Sequence, residues 1–243
     1  MLDVTDSRNF SRTLGAIALV AGPLLWLASS AVSPAWAEDT GDYLAEIAAA
    51  PNRHLLSAGL FLLGCIVLLP GLLATAHLLR GRRVTVGQIG ASILAVGAMI
   101  AGGVVFVINA FEVVMVDDAA NRTEMIALSE RGEDSLAAGI VFFVSFFGGF
   151  VLGLVLLAVG LWTKRAVPVW SPLLLVGAIA WMFVGGEGQL GSIVGMAVLV
   201  AGFAPIAAKI LALSDEEWAR WQPLPDGGRR PARTEELGPA STA

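Results

Sequence analysis

The chain has 243 residues, 56% hydrophobic and 14% charged, with a mean hydropathy of +0.78. One small water-soluble core cannot hide that much apolar surface, so the composition excludes an ordinary soluble domain and makes lipid the solvent. The net charge of −5 and two short basic runs, one flanking an apolar stretch and one in the C-terminal tail, exclude a nucleic-acid footprint and leave membrane lipids as the expected surroundings.

A polar leader with Arg8 and Arg12 opens onto an apolar run at 14–32, broken by Gly22 and Pro23. This reads as a first span. Ala35, Trp36 and Ala37 ahead of Glu38 also fit a small-x-small cleavage site, which would make the run a signal peptide, but about 19 apolar residues exceed the 7–15 of a signal core. An acidic loop follows, with a short helix expected at 42–49 and Pro51 at its end. The second span, 54–79, has about 26 residues at about 1.5 Å each, enough to cross with some tilt, and Pro70 should bend it. The third span is read at 86–111 with a continuation towards Val116, and a second acidic loop carries a surface helix at 123–131.

The fourth, fifth and sixth spans fall at 136–162, 169–185 and 189–213. The link between the last two is so short that they must be antiparallel neighbours. Ser214 and Glu217 form a capping box for a short helix over 214–222, whose Trp218 and Trp221 suit the headgroup layer. Residues 223–243, dominated by Pro, Gly, Arg and Glu, read as a disordered cytoplasmic tail. The fold predicted is all-α, an integral membrane bundle of six helices.

Lys and Arg orient it. Twelve of the fifteen basic residues fall on the side of the termini, and only Arg53, Arg122 and Arg131 fall on the other. By the positive-inside rule both termini are cytoplasmic, and the outer loops carry twelve carboxylates.

Glycines recur at a spacing of seven in five spans: 15 and 22, 64 and 71, 90 and 97, 153 and 160, 195 and 202. Such stripes let helix backbones approach closely. Gly149, Gly153 and Gly160 share their offsets with Gly191, Gly195 and Gly202, so the fourth and sixth spans are expected to make close contacts through those faces.

Groups for chemistry are sparse. His54 and His77 lie 23 positions apart on one helix, about 35 Å along its axis, and the lone Cys65 lies between them. They cannot converge on a haem or a zinc ion, so neither metal nor cofactor is expected, and both histidines read as interfacial side chains with a wet tip. Ser57, three residues from His54, reads as making a hydrogen bond within its own helix. No nucleophile elbow, phosphate loop or metalloprotease motif is present, so no enzymatic activity is expected. The best candidate is Glu112, surrounded by apolar residues with Asn109 one turn earlier, because an ionisable group at membrane depth is costly. Glu187 and Gln189 in the tight outer turn, with Arg53 and His54, complete a candidate polar pocket on the outer side. Arg53, next to a span end, is the expected partner of Glu112.

The run Arg53-His54-Leu55-Leu56-Ser57, then Leu69-Pro70-Gly71, Leu79-Arg80-Gly81-Arg82-Arg83 and Gly87-Gln88-Ile89-Gly90-Ala91 resembles multi-span membrane proteins common in high-GC Gram-positive bacteria. The resemblance covers mainly spans two and three and implies a plasma-membrane location. The functional expectation is a non-enzymatic envelope or accessory subunit, with a protein partner or a second copy. The alternative is a small ion-coupled permease using Glu112.

Overall fold

The computed structural model of the chain describes residues 6–34, 37, 39–81, 85–117, 121–133, 135–185 and 188–219. The cleavage motif in part, Asp118, Glu187, Trp221 and the 223–243 tail lie outside these residues. Among the described residues the structure is helical, with no strand. The helices are α1 (Ser7–Val32), α2 (Thr40–Ala49), α3 (Pro51–Leu78), α4 (Val86–Asp117), α5 (Arg122–Glu133), α6 (Leu136–Phe143), a π-helical segment (Val144–Val151), α7 (Leu152–Lys164), α8 (Trp170–Val184), α9 (Gln189–Leu211) and α10 (Asp215–Ala219). The fold is a helical membrane bundle: five helical stretches, Ser7–Val32, Pro51–Leu78, Val86–Val116, Gly139–Lys164 and Gln189–Leu211, are long and apolar enough to cross. α8, expected as a full span at 169–185, is a shorter apolar helix of 15 residues.

Local chemistry sets the helix ends. Asp6 and Asp39 cap α1 and α2 by accepting from amides of the first turn, Arg8 N at 2.9 Å and Gly41 N at 2.8 Å. Thr85 and Gln88 cap α4 reciprocally, and Ser214 and Glu217 do the same for α10. α7 stops at Arg165, which takes the left-handed conformation (φ 47°) while Ala166 N returns to the Leu161 carbonyl. Gly188, at φ 108°, supplies the turn into α9 that a side chain would disfavour.

The long helices form a ring in the order α9, α1, α3, α4, α7, α8, with α8 returning to α9. Lipid tails are as apolar as leucine, so close backbone packing rather than hydrophobic transfer must hold such a ring together. Glycine supplies it. A Cβ added at Gly90 would lie 2.3 Å from Leu157 N, at Gly97 2.3 Å from Gly149 Cα, and at Gly160 2.2 Å from Gly87 Cα. Thus Gly149, Gly153 and Gly160 press their face against α4 in antiparallel register. α1 and α3 meet in the same way through Gly15, Gly22, Gly64 and Gly71. Gly64 makes room for Trp26, which is 1% exposed, stacks on Phe61 and donates to the Phe61 carbonyl. On α9, Gly195 and Gly202 face Trp181 and Leu175 of α8, and the Gly191 carbonyl accepts from Trp181 Nε1 at 2.8 Å.

The fourth stretch is not one regular helix. Between α6 and α7 the backbone widens to i→i+5 bonding over Val144–Val151. Gly148 and Gly149 give this segment little helix propensity, and Ser145 Oγ, bonding back to the Val141 carbonyl at 2.7 Å, loosens the ladder at its entry. Beside it lies an open apolar groove of about 430 Å³, lined by Val96, Ile100, Val144 and Gly148.

Candidate functional site

α4 spans 32 residues, about 48 Å, well beyond a hydrocarbon core of about 30 Å. α2 packs against its final turns, and α5 packs on α2 in turn. Leu44, Ile47 and Val116 form a small satellite core there, supported by Tyr43, Val113, Met125 and Ile126. α2 is amphipathic: Gly41, Leu44 and Ile47 are buried while Asp42, Ala45 and Ala48 face out. This cap closes the end of the bundle that holds Glu112.

Glu112 does not pair with Arg53. His54 Nε2 lies 2.8 Å from Glu112 Oε2, and the Tyr43 hydroxyl donates to the same oxygen at 3.3 Å. The side chains of His54 and Glu112 are 4% and 14% exposed. An ionised carboxylate only accepts, so this contact sets the imidazole as an Nε2–H donor. The Tyr43 ring lies edge-on to the imidazole with centroids 6.1 Å apart. His54 thus has no wet tip, because Glu112 of α4 and Tyr43 of α2 close around its ring. Two atoms at this end remain buried without a hydrogen-bond partner among the described residues, His54 Nδ1 and Glu46 Oε2.

The other candidates serve helix ends. Arg53 Nε and Nη2 reach the Val32 carbonyl at 3.3 and 3.1 Å. Gln189 Nε2 reaches the carbonyls of Ser30, Ala31 and Ser33 at 3.2, 3.0 and 3.1 Å. Together they satisfy the C-terminal carbonyls that α1 cannot pair itself. Asn109 Nδ2 bonds back to Val105 in its own helix at 2.8 Å and does not join Glu112. Ser57 bonds across to α1, sharing a buried pair with Ser29, rather than within α3.

The opposite end is a second polar cluster. Arg12 holds the Leu211 carbonyl at 2.7 Å, the Leu213 carbonyl and the Asp215 carboxylate. His77 Nε2 donates to the Trp218 carbonyl at 2.7 Å, and the indole of Trp218 lies 4.3 Å from the imidazole and donates to Ser11 Oγ. Trp218 is therefore buried against the end of the bundle. Arg80 reaches the Glu217 carbonyl at 2.5 Å and the His77 carbonyl at 3.2 Å; burial pushes its guanidinium pKa down, while Glu217 acts in the opposite sense.

Tyr43 and Glu46 are the site residues that sequence reasoning missed. Their signal was present: Tyr43 is the single tyrosine of the chain and stands three residues before Glu46 on an amphipathic helix. Among the described residues no group of three or more His, Cys, Asp or Glu is placed to hold a metal. Comparison with protein-family models, curated proteins and solved structures gives no match.

Proposed function

We propose that the chain is a non-enzymatic multi-pass subunit of the plasma membrane, crossing six times with both termini cytoplasmic, whose α2–α5 cap meets a protein partner or a second copy. The observation that carries this reading is where the polar groups lie. Mid-depth contacts are made by glycine backbones and by Leu68, Leu94, Leu154 and Trp26, whereas Arg12, Arg53, Arg80 and Gln189 close helix ends. A bundle built this way suits a rigid scaffold better than a path for solutes, which needs polar groups near the midplane. Two bonds hold α8 alongside α9, Ser171 Oγ to the Gly202 carbonyl and Trp181 Nε1 to the Gly191 carbonyl, which supports counting it as the sixth crossing. The basic asymmetry supports the orientation.

A proton-coupled permease is the second reading, and the buried His54–Glu112 pair favours it. Proteoliposomes with a pH-sensitive dye inside separate the two. The scaffold reading expects proton entry equal to that of protein-free vesicles, and photo-crosslinking from Glu124 or Leu128 on α5 in native membranes to give one adduct of defined mass. Proton entry that Glu112→Gln abolishes overturns it in favour of the permease.

A further inference from the structure

The outer end holds two buried atoms whose bonding needs are complementary in only one protonation state. With the imidazole neutral, Nε2–H is held by Glu112, and Nδ1 is a lone pair with no donor. Glu46 Oε2 is a buried acceptor, also with no donor. Two acceptors cannot bond each other. Adding one proton to Nδ1 turns the imidazole into a double donor, and both carboxylates can then be satisfied.

No hydrogen bond or ion pair joins the side chains of His54 and Glu46 in the structure, so the bridge forms when the Glu46 side chain turns onto Nδ1. Glu46 lies one turn along α2 from Tyr43, whose ring is edge-on to the imidazole. The backbone ties the two residues as well: Ala50 N donates to the Glu46 carbonyl, and His54 N donates to the Ala50 carbonyl. Among the described residues, the titratable groups in contact with the imidazole are Glu112 on α4 and Tyr43 on α2; Glu46 lies one turn along α2 from Tyr43, and Asp42 on α2 is exposed. The adjoining ends of α1 and α9 contribute Ser29, Ser33 and Gln189, which do not titrate, and Arg53 of α3 itself is engaged by α1.

We propose that His54 and Glu46 form a proton-binding site, in which an imidazole carrying its second proton on Nδ1 bridges Glu46 of α2 to Glu112 of α4 and clamps α2 onto the bundle at acid pH. The proton comes from the medium, and no covalent bond between heavy atoms changes. Histidine is the side chain suited to such a change between about pH 5 and 8. A hydrogen bond between charged groups shifts the opening equilibrium of α2 by about tenfold or more.

The test uses the full chain in lipid nanodiscs. Side-chain ¹⁵N NMR of histidine-labelled protein, with His77→Gln to assign the signals, should show Nδ1 of His54 unprotonated at pH 8 and protonated at pH 5.5, with Nε2 protonated throughout. Amide exchange, corrected for its intrinsic pH dependence, should slow across α2 by roughly tenfold over the same range. That slowing should vanish in both His54→Gln and Glu46→Gln. An Nδ1 that stays unprotonated at pH 5.5 overturns the site without any substitution at it. Acid-dependent protection that survives in Glu46→Gln overturns the bridge.

Discussion

The pairing of Glu112 with His54 rather than with Arg53 can be tested by a pair of double-mutant cycles. His54 and Glu112 are in contact at 2.8 Å with side chains 4% and 14% exposed, so solvent screens the interaction little. A hydrogen bond to a charged group in such surroundings contributes about 1.5–3 kcal/mol. Glu112→Ala alone also leaves Nε2–H buried without its acceptor, so the single substitution should cost more than the coupling itself. The cycle His54→Ala with Glu112→Ala should give a coupling of about 1.5–3 kcal/mol, read by steric-trap unfolding in bicelles. The cycle Arg53→Ala with Glu112→Ala should be additive within about 0.5 kcal/mol, although Arg53 adjoins His54 in sequence, because its guanidinium is bonded to the Val32 carbonyl. A His54–Glu112 coupling below about 0.5 kcal/mol, or an equal one for Arg53, would refute the assignment.

Gly97→Ala should destabilise the bundle by about 1–3 kcal/mol, since its new Cβ would meet the Gly149 backbone at 2.3 Å, while Gly103→Ala on the same helix, with open space around it, should be neutral or stabilising. Equal thermal shifts for the two would reject glycine contact as the basis of α4–α7 packing. Gln189→Ala strips three carbonyls at the end of α1 of one shared donor and should cost about 1–2 kcal/mol in the same unfolding assay; an unchanged midpoint would show that water replaces it freely. For topology, reporters active only outside the cytoplasm should be silent when fused after Gly81, Ala166 or Ala243 and active when inserted within 121–133. Activity at Ala243 contradicts the orientation proposed.

The membrane class and the helix segments were legible in one dimension because hydropathy, capping residues and chain length are properties of contiguous residues. The capping box at Ser214 and the glycine spacing in the long helices are of this kind: each is visible without knowing what lies next to it. The identity of the neighbour is not. Gly149, Gly153 and Gly160 have the spacing of Gly191, Gly195 and Gly202, yet the first set meets α4 and the second meets α8, since the ring order decides which stripes face each other. The break into a π segment was hidden because an apolar run looks alike whether its carbonyls bond four or five residues on. Glu112 stood out in the sequence as a carboxylate in an apolar run, but its hydrogen-bond partners did not. Arg53 was favoured by charge alone, whereas His54 reaches the carboxylate because the first turn of α3 packs beside the last turns of α4, and Tyr43 because α2 folds back over that end. Sequence shows which groups need partners; the tertiary structure decides which partners come within hydrogen-bond distance, because that depends on the path of the backbone between them.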